Sequence, residues 1–189
     1  MEFKQEYGKG FFLVANPVLP DPNFSRSVVL LCDHNDQGSF GLVINRSSDI
    51  SAAEVFPDHD LLRSYRSKIL VGGPVSQSQV FYLCRSEAPL PGTELICDNL
   101  HLGLNWDELE DVLRLLKNPQ QNIRFYMGYS GWGAGQLENE MSQRSWLTCA
   151  AKNLFVFGES EESIWANVIR SLGKDYEYLL HAPLNPQWN

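Results

Sequence analysis

The segment GYSGWGAGQLENEMSQRSW, residues 128–146, decides the fold of its region, because it sets an aromatic, glycine-rich turn between two regular elements. The apolar run Ile123–Tyr129 predicts a strand, Gly128–Gly135 predicts a loop, and Gln136–Gln143 predicts a helix. The first N–H groups of a helix are unpaired, so such a turn can hold a phosphate or a carboxylate. The simpler alternative is a tight strand-to-helix turn with Trp132 packed in the core.

The spacing of this segment excludes two well-known phosphate-binding motifs. No Lys-Ser/Thr pair follows the glycines, as a P-loop requires, and Gly131-x-Gly133-x-Gly135 is not the dinucleotide-binding pattern. Ser130 suggests a nucleophile elbow, but that motif ends in glycine where this chain has Trp132. The segment is therefore either an anion-binding turn or a purely structural one.

Two carboxylates lie in the predicted helix of this segment. Glu138 and Glu140 are two residues apart, so on a helix they diverge by about 200° and cannot form a paired carboxylate site. Glu138 lies in the first turn, where it complements the helix dipole. Glu140 is the one we expect to face inward, next to Gln136 one turn earlier.

The rest of the chain predicts runs of strands interrupted by a few helices. The predicted strands are Phe11–Ala15, Ser27–Cys32, Phe40–Asn45, Lys68–Val71, Gln79–Cys84, Thr93–Cys97, Leu100–Leu104 and Leu154–Phe157. The predicted helices are Ser51–Phe56, Asp60–Tyr65, Asn105–Lys117 with Asn105 as its cap, and a last one between Ser160 and Gly173. Because strands do not alternate strictly with helices, we expect an α+β fold with a mixed, largely antiparallel sheet.

Composition limits the class of protein. The chain has 189 residues, 43% of them hydrophobic, which predicts a single domain with a core over about residues 10–173 and extended termini. The net charge of -8 disfavours direct nucleic-acid binding, and no apolar run is long enough to span a membrane. Four cysteines without a Cys-x-x-Cys pair favour reduced thiols in a cytoplasmic protein. We predict no metal and no cofactor, and the oligomeric state stays open.

Two further motifs offer chemistry. Cys32 and His34 occupy alternate positions and would face one side of a strand, as a metal half-site or an activated thiol at Cys32. A buried cysteine followed by a turn-capping histidine is the alternative. Gly72-Gly73-Pro74 follows a predicted strand and either brings backbone close to a ligand or makes a tight turn.

Several stretches occur together in an order that resembles the AlgH/YqgE family of bacterial proteins. They include Leu13-Val-Ala-Asn-Pro, Asp21-Pro-Asn-Phe, Arg26-Ser-Val-Val, Cys32-Asp-His-Asn, Gly41-Leu-Val-Ile-Asn, Gly72-Gly-Pro, Gly128-Tyr-Ser-Gly-Trp, Gly135-Gln-Leu-Glu-Asn-Glu and Trp146-Leu. The resemblance implies a sheet curled into a partial barrel with helices packed outside, in a cytoplasmic protein. Members often carry the label of transcriptional regulator, which we expect to act indirectly if at all. Ser47 and Ala134 stand where the family usually has proline.

These observations define one composite candidate site and several functions for it. The candidate residues are Asn16, Arg26, His34, Gly72, Gly73, Pro74, Ser130, Trp132, Gln136 and Glu140, with Cys32 as a possible reactive thiol. The leading hypothesis is a non-enzymatic module that binds a small anionic ligand or a protein partner. The alternatives are a hydrolase or phosphoryl-transfer enzyme that uses the Gly128–Glu140 turn, with Glu140, His34 or Ser130, and a thiol-based sensor.

Overall fold

A computed structural model describes residues 6–17, 19, 21–63, 65 and 67–182. The strands are β1 (Phe11–Ala15), β2 (Val28–Asn35), β3 (Gly38–Val43), β4 (Ser47–Ser51), β5 (Lys68–Val71), β6 (Val75–Arg85), β7 (Thr93–Cys97), β8 (Leu100–Gly103), β9 (Ile123–Gly133) and β10 (Trp146–Ala150). The α-helices are α1 (Ala52–Val55), α2 (Leu109–Leu115), α3 (Pro119–Asn122), α4 (Gln136–Ser142), α5 (Asn153–Phe157) and α6 (Glu161–Ser171). Short 3-10 helices cover Pro22–Phe24 and Lys174–His181.

The strands form one sheet in the order β10-β1-β2-β3-β9-β6-β8-β7, with β4 and β5 attached beside β9. Among the described strands, every pairing is antiparallel except that of β5 with β9. The two ends of the sheet approach each other, because Lys9 pairs with Glu94 and Cys97 lies against Gly10. The predicted α+β fold, with a mixed, largely antiparallel sheet curled into a partial barrel, is confirmed.

Both faces of the sheet are covered, which explains the uninterrupted apolar runs in the sequence. In β1, Phe12 and Val14 join a core cluster shared with α5 and α6, whereas Leu13 and Ala15 join a cluster on the other face with Leu137 of α4. A third cluster packs α2 against β6 and β9. Strands buried on both faces lack the alternation of a half-exposed strand, and burying both sets of side chains stabilises the fold.

Local patterns predicted many elements correctly. β1 and β5 have the predicted bounds, and β2 and β3 form the expected hairpin, with β7 and β8 forming a second one. The extended tail expected from His181 onward is not seen at His181, which ends a 3-10 helix, and residues 183–189 lie outside the described part of the chain.

Leu154–Phe157 was predicted as a strand, and this prediction is wrong, because the segment forms α5. The N–H of Asn153 donates to Oδ2 of Asp98 and the Asn153 side chain donates to the Asp98 carbonyl, so a distant turn holds the start of the helix. Its last three residues, Phe155, Val156 and Phe157, are buried. A short apolar run fits either state by periodicity alone, and tertiary contacts decide between them.

The predicted helix Asn105–Lys117 begins later than expected, at Leu109. Asn105 does not cap it, because the Asn105 side-chain oxygen accepts from the N–H of Asp107 in a local turn. Asparagine competes in this way with the helical backbone. The segment expected to be helical over Asp60–Tyr65 forms turns at its described residues.

Candidate functional site

The glycine-rich segment is mostly strand, so the loop predicted over Gly128–Gly135 is wrong except at Ala134-Gly135. β9 continues to Gly133 because β3 pairs with it on one side, Gly41 opposite Ser130 and Gly38 opposite Gly133. A strand neighbour supplies the backbone hydrogen bonds that a loop would have to find elsewhere. Glycine is poor strand material, and at this place it marks a close approach of backbones.

That approach involves Gly72-Gly73-Pro74. A Cβ atom on Gly73 would overlap the backbone carbonyl of Tyr129, and one on Gly72 would overlap the carbonyl oxygen of Gly128. The Ser130 hydroxyl is fully buried and donates to the carbonyl of Gly72 at 3.2 Å. Sequence reasoning was right to expect that these glycine segments meet, and they meet through backbone contact. Pro74 alone is exposed there.

α4 carries a carboxylate that is held by two indoles. Oε2 of Glu140 accepts from Nε1 of Trp132 at 2.9 Å and from Nε1 of Trp146 at 2.8 Å, while Oε1 accepts from Nε2 of Gln136 at 3.1 Å. Both indoles are buried, and the ring of Phe24 stacks on Trp132 with centroids 6.2 Å apart. We call Trp132, Gln136, Glu140 and Trp146 the indole–carboxylate cluster. Glu140 faces inward as expected.

Cys32 and His34 are not brought together. A β-bulge between Leu31 and Asp33 interrupts the alternation of β2, so Cys32 packs in the core while His34 lies near the surface. Burial raises the pKa of the Cys32 thiol well above its ordinary value, which keeps it protonated and disfavours nucleophilic attack. The described residues contain no group of three His, Cys, Asp or Glu side chains that could hold a metal ion.

His34 instead contacts a serine and a carboxylate. Its Nδ1 lies 2.8 Å from Oγ of Ser39, and its Nε2 lies 3.7 Å from Oε1 of Glu138. The ring of Tyr7 packs beside the imidazole, with centroids 5.2 Å apart. Sequence reasoning missed Ser39, although its position across the β2–β3 turn from His34 was a usable signal.

Arg26 lies at a different place, in the wall of a cavity of about 330 Å³. Its guanidinium carbon lies 5.0 Å from the ring centroid of Trp165, and Nη2 donates to the carbonyl of Ala182 at 2.9 Å. The other lining residues are Asn45, Glu161, Glu162, Trp165, Ala166, Arg170 and Leu180. A cation stacked on an indole is oriented as well as bound, so its position is well defined.

The backbone around Arg26 is held by Asn45. The Asn45 amide donates to the carbonyl of Arg26 at 2.9 Å, and its oxygen accepts from the N–H of Val28 at 2.8 Å. These bonds support Arg26 in a left-handed conformation, with φ of 51°, that non-glycine residues seldom adopt. Strained backbone that is held by its surroundings is frequent at binding sites.

Asn16 follows β1, and its backbone N–H donates to the carbonyl of Ser145 at 3.0 Å. The preceding residue, Ala15, accepts from Nε1 of Trp165, so the end of β1 and the Arg26 cavity share a neighbour. The candidate residues thus separate into the buried glycine contact, the indole–carboxylate cluster, the His34 contacts and the Arg26 cavity. Asn45, Trp165 and Arg170, which line that cavity, were absent from the predicted site.

Comparison with known proteins places the chain in a family. The model of the AlgH-like family, also described as DUF179, matches residues 12–177. A UPF0301 protein of Cytophaga hutchinsonii is 37% identical over 182 residues, covering 96% of this chain and 98% of the relative. A UPF0301 protein of Magnetococcus marinus is 38% identical over 186 residues, covering 96% of this chain and 97% of the relative.

Two solved structures share the fold. The crystal structure of protein DIP2367 from Corynebacterium diphtheriae has a TM-score of 0.81 at 22% identity, covering 95% of this chain and 94% of that one. The solution structure of the AlgH protein from Pseudomonas aeruginosa has a TM-score of 0.73 at 32% identity, covering 95% and 97% of the two chains. The family match, the relatives and the shared fold agree over nearly the whole length, and the chain therefore belongs to the AlgH-like family.

Proposed function

We propose that this protein is a binding module for a small anionic ligand, which it holds in the cavity beside Arg26. The observation that carries the proposal is the Arg26 guanidinium, fixed over Trp165 in the wall of a cavity of about 330 Å³. Such a volume is at the lower end of small-molecule sites. A guanidinium presents several N–H donors in one plane, which suits a carboxylate or a phosphate.

The charges around the cavity narrow the ligand class. Arg170 adds a second cation to the lining, but Glu161 and Glu162 add two carboxylates. A purely anionic ligand would gain from the arginines and lose to the glutamates. A ligand that carries an ammonium group beside its anionic group would complement both charges. We therefore favour a small zwitterionic acid over a simple anion or a polyphosphate.

Other functions have less support from the described contacts. Glu140 has three hydrogen-bond donors around it, and Ser130 is buried, so a hydrolase that combines these two with His34 lacks an accessible reacting group. A protein partner could use the same cavity, and an indirect effect on transcription would follow from either kind of binding. None of the helices in the described part of the chain has the length and apolar character needed to cross a bilayer.

A cytoplasmic location belongs to this proposal. All four cysteines are free thiols, which agrees with a reducing compartment. In such a compartment a zwitterionic acid is an abundant type of metabolite, and the net charge of -8 does not favour nucleic acid as the alternative ligand.

A thermal-shift comparison of two matched acids tests the proposal. L-glutamate and glutarate have the same two carboxylates, and only glutamate has the ammonium group. We expect glutamate, at a concentration well above its Kd, to raise Tm by about 5 °C or more, and glutarate to raise it less. Inorganic phosphate and nucleotides complete the screen.

The matched variants are Arg26→Gln and Arg63→Gln. Arg63 lies outside the cavity lining, where it pairs with Asp60 at 3.4 Å. Stabilisation that is lost in Arg26→Gln and kept in Arg63→Gln supports the site. No stabilisation by any compound, or equal stabilisation of both variants, would count against it.

A further inference from the structure

Ser39, His34 and Glu138 form a chain of polar contacts that runs from a hydroxyl through an imidazole to a carboxylate. Oγ of Ser39 lies 2.8 Å from Nδ1 of His34, and Nε2 of His34 lies 3.7 Å from Oε1 of Glu138. The first distance is that of a hydrogen bond, and the second is within electrostatic contact. This is the order of groups that activates a serine for nucleophilic attack.

The carboxylate decides which nitrogen of His34 carries the proton. An ionised carboxylate only accepts, so the neutral imidazole is attracted to Glu138 when Nε2 bears its hydrogen. Nδ1 then has a free lone pair and can only accept. The hydroxyl of Ser39 must therefore be the donor, which is the arrangement that general-base catalysis needs.

The fold holds the three groups by different elements. His34 and Ser39 are direct partners across the β2–β3 hairpin, so their side chains leave the sheet on the same face. The carboxylate oxygen of Asp33 accepts from the N–H of His34 and fixes the backbone there. Glu138 comes from the first turn of α4, which packs on β3 and β9.

The site is open to small molecules. The side chain of His34 is 21% exposed, and Ser39 is half-buried at the same place. The ring of Tyr7, packed on His34, provides an apolar wall. Burial, with the nearby negative charge of Glu138, raises the pKa of the Tyr7 hydroxyl, so the tyrosine stays neutral. The site is separate from the Arg26 cavity, with no lining residue in common.

We propose that Ser39 is a nucleophile toward small neutral carboxylic esters. Oγ of Ser39 bonds to the ester carbonyl carbon as its proton passes to Nδ1 of His34. Collapse of the tetrahedral intermediate breaks the bond to the leaving alcohol, whose oxygen takes that proton and leaves an acyl-Ser39. A water molecule then attacks the acyl group, giving its proton to Nδ1, and release of the acid returns the proton to Ser39.

Charge favours a neutral ester over a phosphate ester. Glu138 and Asp33 place carboxylates around the imidazole, and an anionic substrate would be repelled by both. Glu138 acts as a positioning residue, because it contacts the imidazole and not the reacting carbon. The shallow site suits a short acyl chain.

Labelling with a neutral alkyl fluorophosphonate, followed by peptide mapping of the wild-type protein, tests the proposal directly. We expect modification at Ser39 and none at the buried Ser130. Ser39→Ala should abolish both the labelling and the hydrolysis of p-nitrophenyl acetate, and His34→Gln should lower each at least 100-fold. Ser142→Ala, on α4, is the matched control and should leave both unchanged.

Glu138→Gln separates positioning from folding. It should lower the maximal labelling rate about tenfold while the half-saturating probe concentration stays the same, and it should reduce the population of the Nε2–H tautomer of His34 seen by ¹⁵N NMR. Labelling of folded wild-type protein at other residues only, no labelling at all, or His34 in the Nδ1–H tautomer would overturn the proposal. If Ser39→Ala fails to fold, the peptide map and the tautomer still decide.

Discussion

The indole–carboxylate cluster and the Arg26 cavity contain the same kinds of groups, and they use them differently. In the cluster, both oxygens of Glu140 accept from side chains of the chain itself, and two indoles are buried around it. In the cavity, Arg26 stacks on Trp165 beside an open volume, with carboxylates on the same wall. The first arrangement completes its hydrogen bonds internally, whereas the second presents charged groups to a ligand.

The difference shows that an unusual sequence is a poor guide to an available site. The glycines and aromatic residues of 128–146 are required by backbone contacts and by the anchoring of α4. Buried donors and acceptors that are fully paired stabilise a fold and leave little for a ligand. The cavity residues come from Arg26 near the beginning of the described chain and from Trp165 and Arg170 near its end.

The largest expected effect is on the cluster. Glu140→Leu would leave the buried N–H groups of Trp132 and Trp146 without their acceptor, and we expect a loss of about 4 kcal/mol in the free energy of unfolding. Glu140→Gln keeps one oxygen that can accept and should cost less than half as much. Urea unfolding measures both. If the two variants are equally stable, the cluster does not stabilise the fold as described.

A somewhat smaller effect is expected where the glycine segments cross. Gly73→Ala would drive a methyl group into the backbone of Tyr129, which cannot move aside as a flexible side chain could, so about 3 kcal/mol should be lost. The matched control is Gly133→Ala, because a Cβ atom there has nothing within 4 Å. Equal unfolding midpoints in urea would show that the close approach is not needed for stability.

Sequence patterns predicted the elements whose cause is local. β1 and β5 were predicted from apolar runs, and α6 from its cap Ser160 and the apolar face around Trp165. The identity of α5 depends on Asp98, which is distant in sequence, and the extension of β9 through its glycines depends on pairing with β3. Periodicity contains no information on either contact.

The candidate site was predicted in part for the same reason. Arg26 and His34 were recognised from short motifs, but the groups that contact them lie on other elements. Trp165 reaches Arg26 from the last helix, and Glu138 reaches His34 from α4. Residue type alone indicates a chemical possibility, whereas the fold decides which groups meet.

The central claim is that the Arg26 cavity, and not the indole–carboxylate cluster, is available for ligand binding. Indole N–H resonances in a ¹⁵N NMR titration with L-glutamate test it most directly, because Trp165 lines the cavity while Trp132 and Trp146 belong to the cluster. The account predicts a saturable shift of the Trp165 resonance, absent in Arg26→Gln, with the other two unchanged. Saturable shifts of Trp132 and Trp146 with Trp165 unmoved, or no shift of Trp165 at any concentration, would contradict it.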